Sequence, residues 1–201
     1  MLVATSCSDE TPKAAADRVC AIAPGSAEDK LLRQVMRAET FSTDVGSRDS
    51  RFVEKMQDAL RSNPEYRTGQ CEFHPNGKEG NGQATIDYGW SPVADADKVP
   101  GADTRRYELN GAKGTSDDVM THLYVPCDLP GELKPQSRKV LLHANAAFTV
   151  NLGAVKDHGT QDEQMSFLYS MARKAADVLG CENKPLAGDP VVKPLTGSTS
   201  S

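Results

Sequence analysis

The sequence predicts an α+β fold in which an antiparallel sheet of about five or six strands packs against helices, two near the N-terminus and one long helix near the C-terminus. Two early segments repeat apolar residues at helical spacing, the middle of the chain changes to a period of two, and a longer helical stripe closes the folded part. Helices and strands come in separate runs, so a two-layer arrangement is expected in place of βαβ crossovers.

The first helix is expected from about Ala27 to Ala38. Ser26 stands three residues before Asp29 as a cap, and Leu31, Leu32, Val35 and Met36 fall on one face. The second is expected around Asp49 to Arg61, where Phe52, Val53, Met56, Ala59 and Leu60 form a stripe opposite Arg51, Glu54, Lys55 and Asp58. Asn63-Pro64 ends it, because the residue before a proline is disfavoured in the helical region. Ala84, Ile86, Tyr88 and Trp90 then alternate with Thr85, Asp87 and Gly89, the pattern of a half-buried strand. Shorter runs at Gly69–His74, Arg105–Leu109, Val119–Pro126, Arg138–Ala144 and Phe148–Leu152 complete an expected meander. Loops are read at Asn76–Gly82 and Asn110–Ser116, both rich in Gly and Asn. Thr160 with Glu163 forms a capping box, Met165, Leu168, Met171, Ala172, Ala175, Val178 and Leu179 follow at helical spacing, and Gly180 ends the helix beside Cys181.

At 201 residues the chain suits one domain, and its 38% hydrophobic and 25% charged content is that of an ordinary globular protein. The domain is expected over 19–185. Residues 1–18 read as a truncated signal with a lipobox and a disordered tether, and 186–201 as a disordered tail ending Gly-Ser-Thr-Ser-Ser. A net charge of −5 without a dense basic stretch argues against nucleic acid as a partner. No run reaches the roughly 18 to 20 apolar residues that a spanning helix needs.

None of the five cysteines shares a spacing that would present two thiolates to one metal. Cys20, Cys71, Cys127 and Cys181 lie beside element boundaries, as bridges formed in an oxidising compartment do. Four buried thiols are the alternative. Three pairings are open, and Cys20 with Cys71 and Cys127 with Cys181 is preferred because each bridge would close one half of the chain. Cys7 follows the small residues Ala4, Thr5 and Ser6, which resemble the lipobox of a bacterial lipoprotein signal. Only six residues precede it, fewer than the apolar stretch of roughly 7 to 15 in a working leader, so the true start is expected upstream of Met1.

Catalytic signatures are incomplete. Gly89-Trp-Ser91 lacks the second glycine of a nucleophile elbow. Gly77-Lys-Glu-Gly80 and Gly111–Ser116 read as hairpin turns, since neither matches a phosphate loop. Asp95, Asp97 and Asp103 space acids without the terminal glutamate of a calcium loop. His74, His122, His143 and His158 include no HExxH motif, although His122 and His143 could meet across a sheet beside an acid. Tyr88 and Trp90 share a strand face that Tyr124 could join from a neighbour, and this trio is the expected ligand-binding position. No metal or other cofactor is expected.

Cys7 after small residues, the polar tether, Cys20 before a helix, Gly-Gln-Cys71-Glu-Phe, Tyr-Val-Pro-Cys127 and Ala-Asp-Val-Leu-Gly-Cys181 resemble the small cell-envelope lipoproteins of actinobacteria, many without an assigned activity. The resemblance implies an outward-facing, disulfide-bonded domain, anchored to the cell membrane by thioether-linked lipid and palmitate on Cys7, and a monomer is expected. The expected function is non-enzymatic binding of a small ligand, wall component or partner protein. A hydrolase with a spatially assembled His and acid site and a purely structural envelope protein are the alternatives.

Overall fold

A computed structural model describes residues 18–44, 51–62, 67–76, 82–98, 101, 103–149 and 159–195. Cys7, the tether at 1–17, Gly77–Gly80, His158 and residues 196–201 lie outside the described residues. In chain order the elements are α1 (Ala27–Met36), β1 (Phe41–Asp44), α2 (Phe52–Ser62), β2 (Arg67–Pro75), β3 (Gln83–Pro92), β4 (Arg105–Leu109), β5 (Ala112–Ser116), β6 (Met120–Val125), a single turn α3 (Lys134–Ser137), β7 (Val140–Thr149) and α4 (Gln161–Leu179). The fold is α+β.

All seven strands join one antiparallel sheet in the order β1-β2-β3-β7-β6-β5-β4. Two meanders therefore meet along β3 and β7 at the centre. Three details differ from expectation. Phe41–Asp44 pairs with β2 as an edge strand, four residues being too short to show alternation. Residues 112–116, read as a loop, are β5, because Asn110 and Gly111 turn the chain within two residues using φ of 48° and 82°. The run at 138–144 and residues 148–149 of the next fall in one strand, Val140–Thr149, while 150–152 lie outside the described residues; small Ala144, Ala146 and Ala147 weaken the local β signal.

One face of the sheet carries the core. α4 lies over β5, β6 and β7, α2 lies over β2 and β3, and α1 packs on α4. Tyr107, Gly114, Leu123, Ala144 and Tyr88 form one continuous buried row under these helices. Gly114 lets α4 approach closely, since a Cβ there would stand 2.7 Å from Met165 Cε and 3.0 Å from the His122 carbonyl oxygen. Phe167 of α4 meets Phe73 and Phe148 edge to face, with ring centres 6.0 and 6.4 Å apart. Each such ring stabilises the fold by about 1.5–3 kcal/mol through removal from water.

Both ends of α4 are tied. Thr160 and Glu163 complete the capping box, and Glu163 also accepts from Gln34 and Arg37 of the α1 end at 2.5 and 3.0 Å. Cys127–Cys181 fastens its C-terminal end to the chain leaving β6, while Cys20–Cys71 fastens the segment before α1 to β2. These two disulfides place the domain in an oxidising environment. Among the described residues no helix is long and apolar enough to cross a membrane.

The segment 186–195, expected as part of a disordered tail, is docked instead. Leu186 is buried, Asn110 and Arg173 donate to the carbonyls of Ala187 and Gly188, and the Leu195 amide donates to Arg106 on edge strand β4. Its partners are remote in sequence, which is why local composition understates its order.

Candidate functional site

Alternation along β6 and β7 divides two chemistries. Thr121, Leu123 and Val125, with Leu142, Ala144 and Ala146, face the helices and are buried. His122 and Tyr124, with His143 and Asn145, consequently face the side away from α1, α2 and α4, where the 3-10 helix Val93–Asp97 packs and where His143 and Asn145 are nonetheless buried. Register places Asp87, Asn145 and His122 in one cross-strand row and Gly89, His143 and Tyr124 in the next. Gly89 puts no side chain beside His143.

The expected aromatic trio does not share one face of the sheet. Tyr88 and Trp90 are core residues on the helix-covered face, Tyr88 donating to Met171 O at 3.4 Å and Trp90 Nε1 to Met56 O at 2.8 Å. Tyr124 is on the opposite face. Odd and even positions of neighbouring strands share a face only when the register puts them there, and Tyr88 stands opposite Ala144 and hence in line with Leu123. Of the three, Tyr124 alone belongs to the polar surface.

The two histidines that could meet do meet. His122 Nδ1 and His143 Nε2 are 3.2 Å apart, with one ring donating an N–H and the other accepting. Their ring centres are 5.4 Å apart and their planes 16° apart. A ring nitrogen lies about 1.1 Å from its ring centre, so both nitrogens must sit on the line of centres. The rings are end to end in nearly one plane, not face to face. Tyr124 covers the flat side of His143, with centres 4.5 Å and planes 5° apart.

Asn145 occupies the centre of this face. It is 4% exposed, and its Oδ1 has no hydrogen-bond partner; among the described residues only Gln161 Oε1 is in the same condition. A buried acceptor left unmade costs about 1–3 kcal/mol. The sequence carries a signal for it, a polar residue between Ala144 and Ala146 two positions beyond His143.

The 3-10 turn Val93–Asp97 borders the site. Ser91 donates to Asp95 Oδ2 at 2.9 Å, and Lys98 lies 2.5 Å from Oδ1 of the same carboxylate. The Lys98 ammonium, then the Ser91 hydroxyl, hold Asp95 below the usual carboxylate range against the opposing effect of burial, and His143 adds to the lowering. Asp97 is paired with Lys113 of β5 at 2.6 Å, which lowers its carboxyl as well. Asp95 and Asp97 are thus each engaged by a lysine. The Ser91 hydroxyl donates to a carboxylate and not to a histidine base. Among the described residues no three His, Cys, Asp or Glu side chains converge as metal ligands.

Comparison with known proteins finds no family model, no curated protein and no solved structure that matches the chain.

Proposed function

We propose that this chain is a disulfide-stapled extracytoplasmic binding domain, non-enzymatic and held to the membrane through lipid on Cys7, that recognises a wall glycopeptide through the face of its sheet opposite α1, α2 and α4. The observation that carries the reading is Asn145 Oδ1, a buried acceptor without a partner in the middle of that face. Because the atom is buried, a ligand bearing amide or hydroxyl donors, as amino sugars with attached peptides do, satisfies it once the groups that cover it yield. Tyr124 and His143 add flat surface for a sugar or amide plane.

Binding is favoured over hydrolysis because Ser91 is hydrogen-bonded to Asp95 and the two histidines are hydrogen-bonded to each other. A hydroxyl nucleophile would need its base within reach, with a third group orienting the base.

The test is an NMR titration of the protein with a soluble disaccharide-tetrapeptide muropeptide. Saturable shifts at Tyr124, His143 and Asn145, with Tyr88 and Trp90 unmoved, support the reading. No saturable shift, or shifts centred on another surface, overturns it. Turnover of the muropeptide would favour the hydrolase reading instead.

A further inference from the structure

We propose that Asn110 is a modification site, where loss of its side-chain amide as ammonia unlatches the docked segment 186–195. Asn110 and Gly111 form the two-residue turn between β4 and β5, and Asn110 is exposed to water. Its Nδ2 donates to Tyr169 Oη at 2.6 Å and to Ala187 O at 3.1 Å. Tyr169 in turn donates to Gly188 O at 3.3 Å, and Arg173 Nη1 reaches the same carbonyl at 2.8 Å. The nitrogen that anchors the segment is thus the atom that deamidation removes.

The reaction suits an Asn-Gly pair, because glycine has no side chain to hinder attack by its own backbone nitrogen. Gly111 N gives its proton to hydroxide and attacks Asn110 Cγ. An N–Cγ bond forms, the Cγ–Nδ2 bond breaks, and Nδ2 takes a proton from water and leaves as ammonia. Water then opens the five-membered imide at either carbonyl, giving aspartate or, with the backbone rerouted through Cγ, isoaspartate. No oxidant or reductant takes part. Both amide protons of Asn110 are engaged in the folded chain, so the attack waits on openings of the latch, and each conversion makes one opening permanent.

An ionised aspartate at 110 has nothing to donate. It draws the Tyr169 proton away from Gly188 O and sets a negative oxygen against Ala187 O, so two of the segment's hydrogen bonds go together. Isoaspartate adds a methylene to the backbone of a turn that has only two residues, which disturbs the β4–β5 pairing as well. Beyond the latch, the segment is tied to edge strand β4 by the Leu195 amide on Arg106 O and the bridge between Pro194 and Tyr107. Its release leaves that edge uncovered, and the change does not reverse.

The experiment incubates the whole protein in mildly alkaline buffer until Asn81, which also precedes a glycine, has converted, and maps it by peptide mass spectrometry that distinguishes aspartate from isoaspartate. Hydrogen exchange of the Leu195 amide, which donates to Arg106 O at 2.8 Å, is followed in the native chain and in Asn110→Asp, which carries the change at one position only. The expected results are conversion of Asn110 to a mixture of aspartate and isoaspartate, and about tenfold faster exchange at Leu195 in Asn110→Asp, the worth of two modest hydrogen bonds. Asn110 intact after Asn81 has converted overturns the modification site. Unchanged Leu195 exchange in a folded Asn110→Asp overturns the latch. Should that variant not fold, the converted fraction of the incubated native protein, separated by its added negative charge, gives the same reading.

Discussion

Tyr124 lies flat against His143 across the β6–β7 ladder, ring centres 4.5 Å apart and planes 5° apart. The pair holds the His143 ring in the plane that lets its Nε2 meet His122 Nδ1 at 3.2 Å. Stacked pairs are worth about 0.5–1.5 kcal/mol beyond burial. Tyr124→Ala is therefore expected to fold and to bind the muropeptide roughly 2- to 10-fold more weakly, as read by titration.

Asn145→Leu separates stability from binding. It replaces a buried amide whose Oδ1 has no hydrogen-bond partner by an apolar side chain of similar volume, so the fold is expected to gain about 1 kcal/mol. Muropeptide affinity is expected to fall at least about tenfold. Denaturant melts and titration read the two effects, and a destabilised variant with unchanged affinity would show that Asn145 is structural.

Trp90→Phe tests the placement of the predicted aromatics. Loss of the 2.8 Å bond to Met56 O inside the core is expected to cost about 1–3 kcal/mol. Affinity is expected to stay unchanged, because Trp90 lies beneath the helices. A selective loss of affinity would return Trp90 to the binding surface.

Each disulfide closes a loop of fifty-odd residues, with sequence separations of 51 and 54. Chain-entropy reasoning assigns about 4 kcal/mol to each. Cys20→Ala with Cys71→Ala, and the matching pair at Cys127 and Cys181, are expected to lower stability by similar amounts in denaturant melts.

Acid should weaken the fold. Asp95 is held low by Lys98 and Ser91, Asp29 by Arg33 and the Gly25 amide, and Asp97 by Lys113. Glu163 is lowered too, against the raising effect of burial, by Thr160, Gln34 and Arg37. Carboxyls lowered on folding add stability above their unfolded values of about 4 and lose it as pH falls toward their folded values. The melting temperature is expected to decline below about pH 4, and a flat profile down to pH 3 would contradict these pairings.

Much of the scaffold is written locally. The Ser26 and Thr160 caps, the apolar stripes of α1, α2 and α4 and the alternation of β3 each depend on residues within a few positions. Register does not. The alternation in Thr121-His-Leu-Tyr-Val125 and Leu142-His-Ala-Asn-Ala146 shows that His122, Tyr124, His143 and Asn145 share a side of their own strands. Only the pairing of Tyr88 with Ala144 and of Tyr124 with His143 reveals that this side is opposite to Tyr88 and Trp90. The docked segment 186–195 was illegible for the same reason, since Asn110, Tyr169 and Arg173 reach it from far along the chain.

The most direct measurement is the muropeptide titration read residue by residue on the native protein. Saturable shifts centred on Asn145, His143 and Tyr124 are predicted, with the Asn145 side-chain amide moving most. A protein that leaves these signals still at millimolar muropeptide, or binds it on the helix side, contradicts the account.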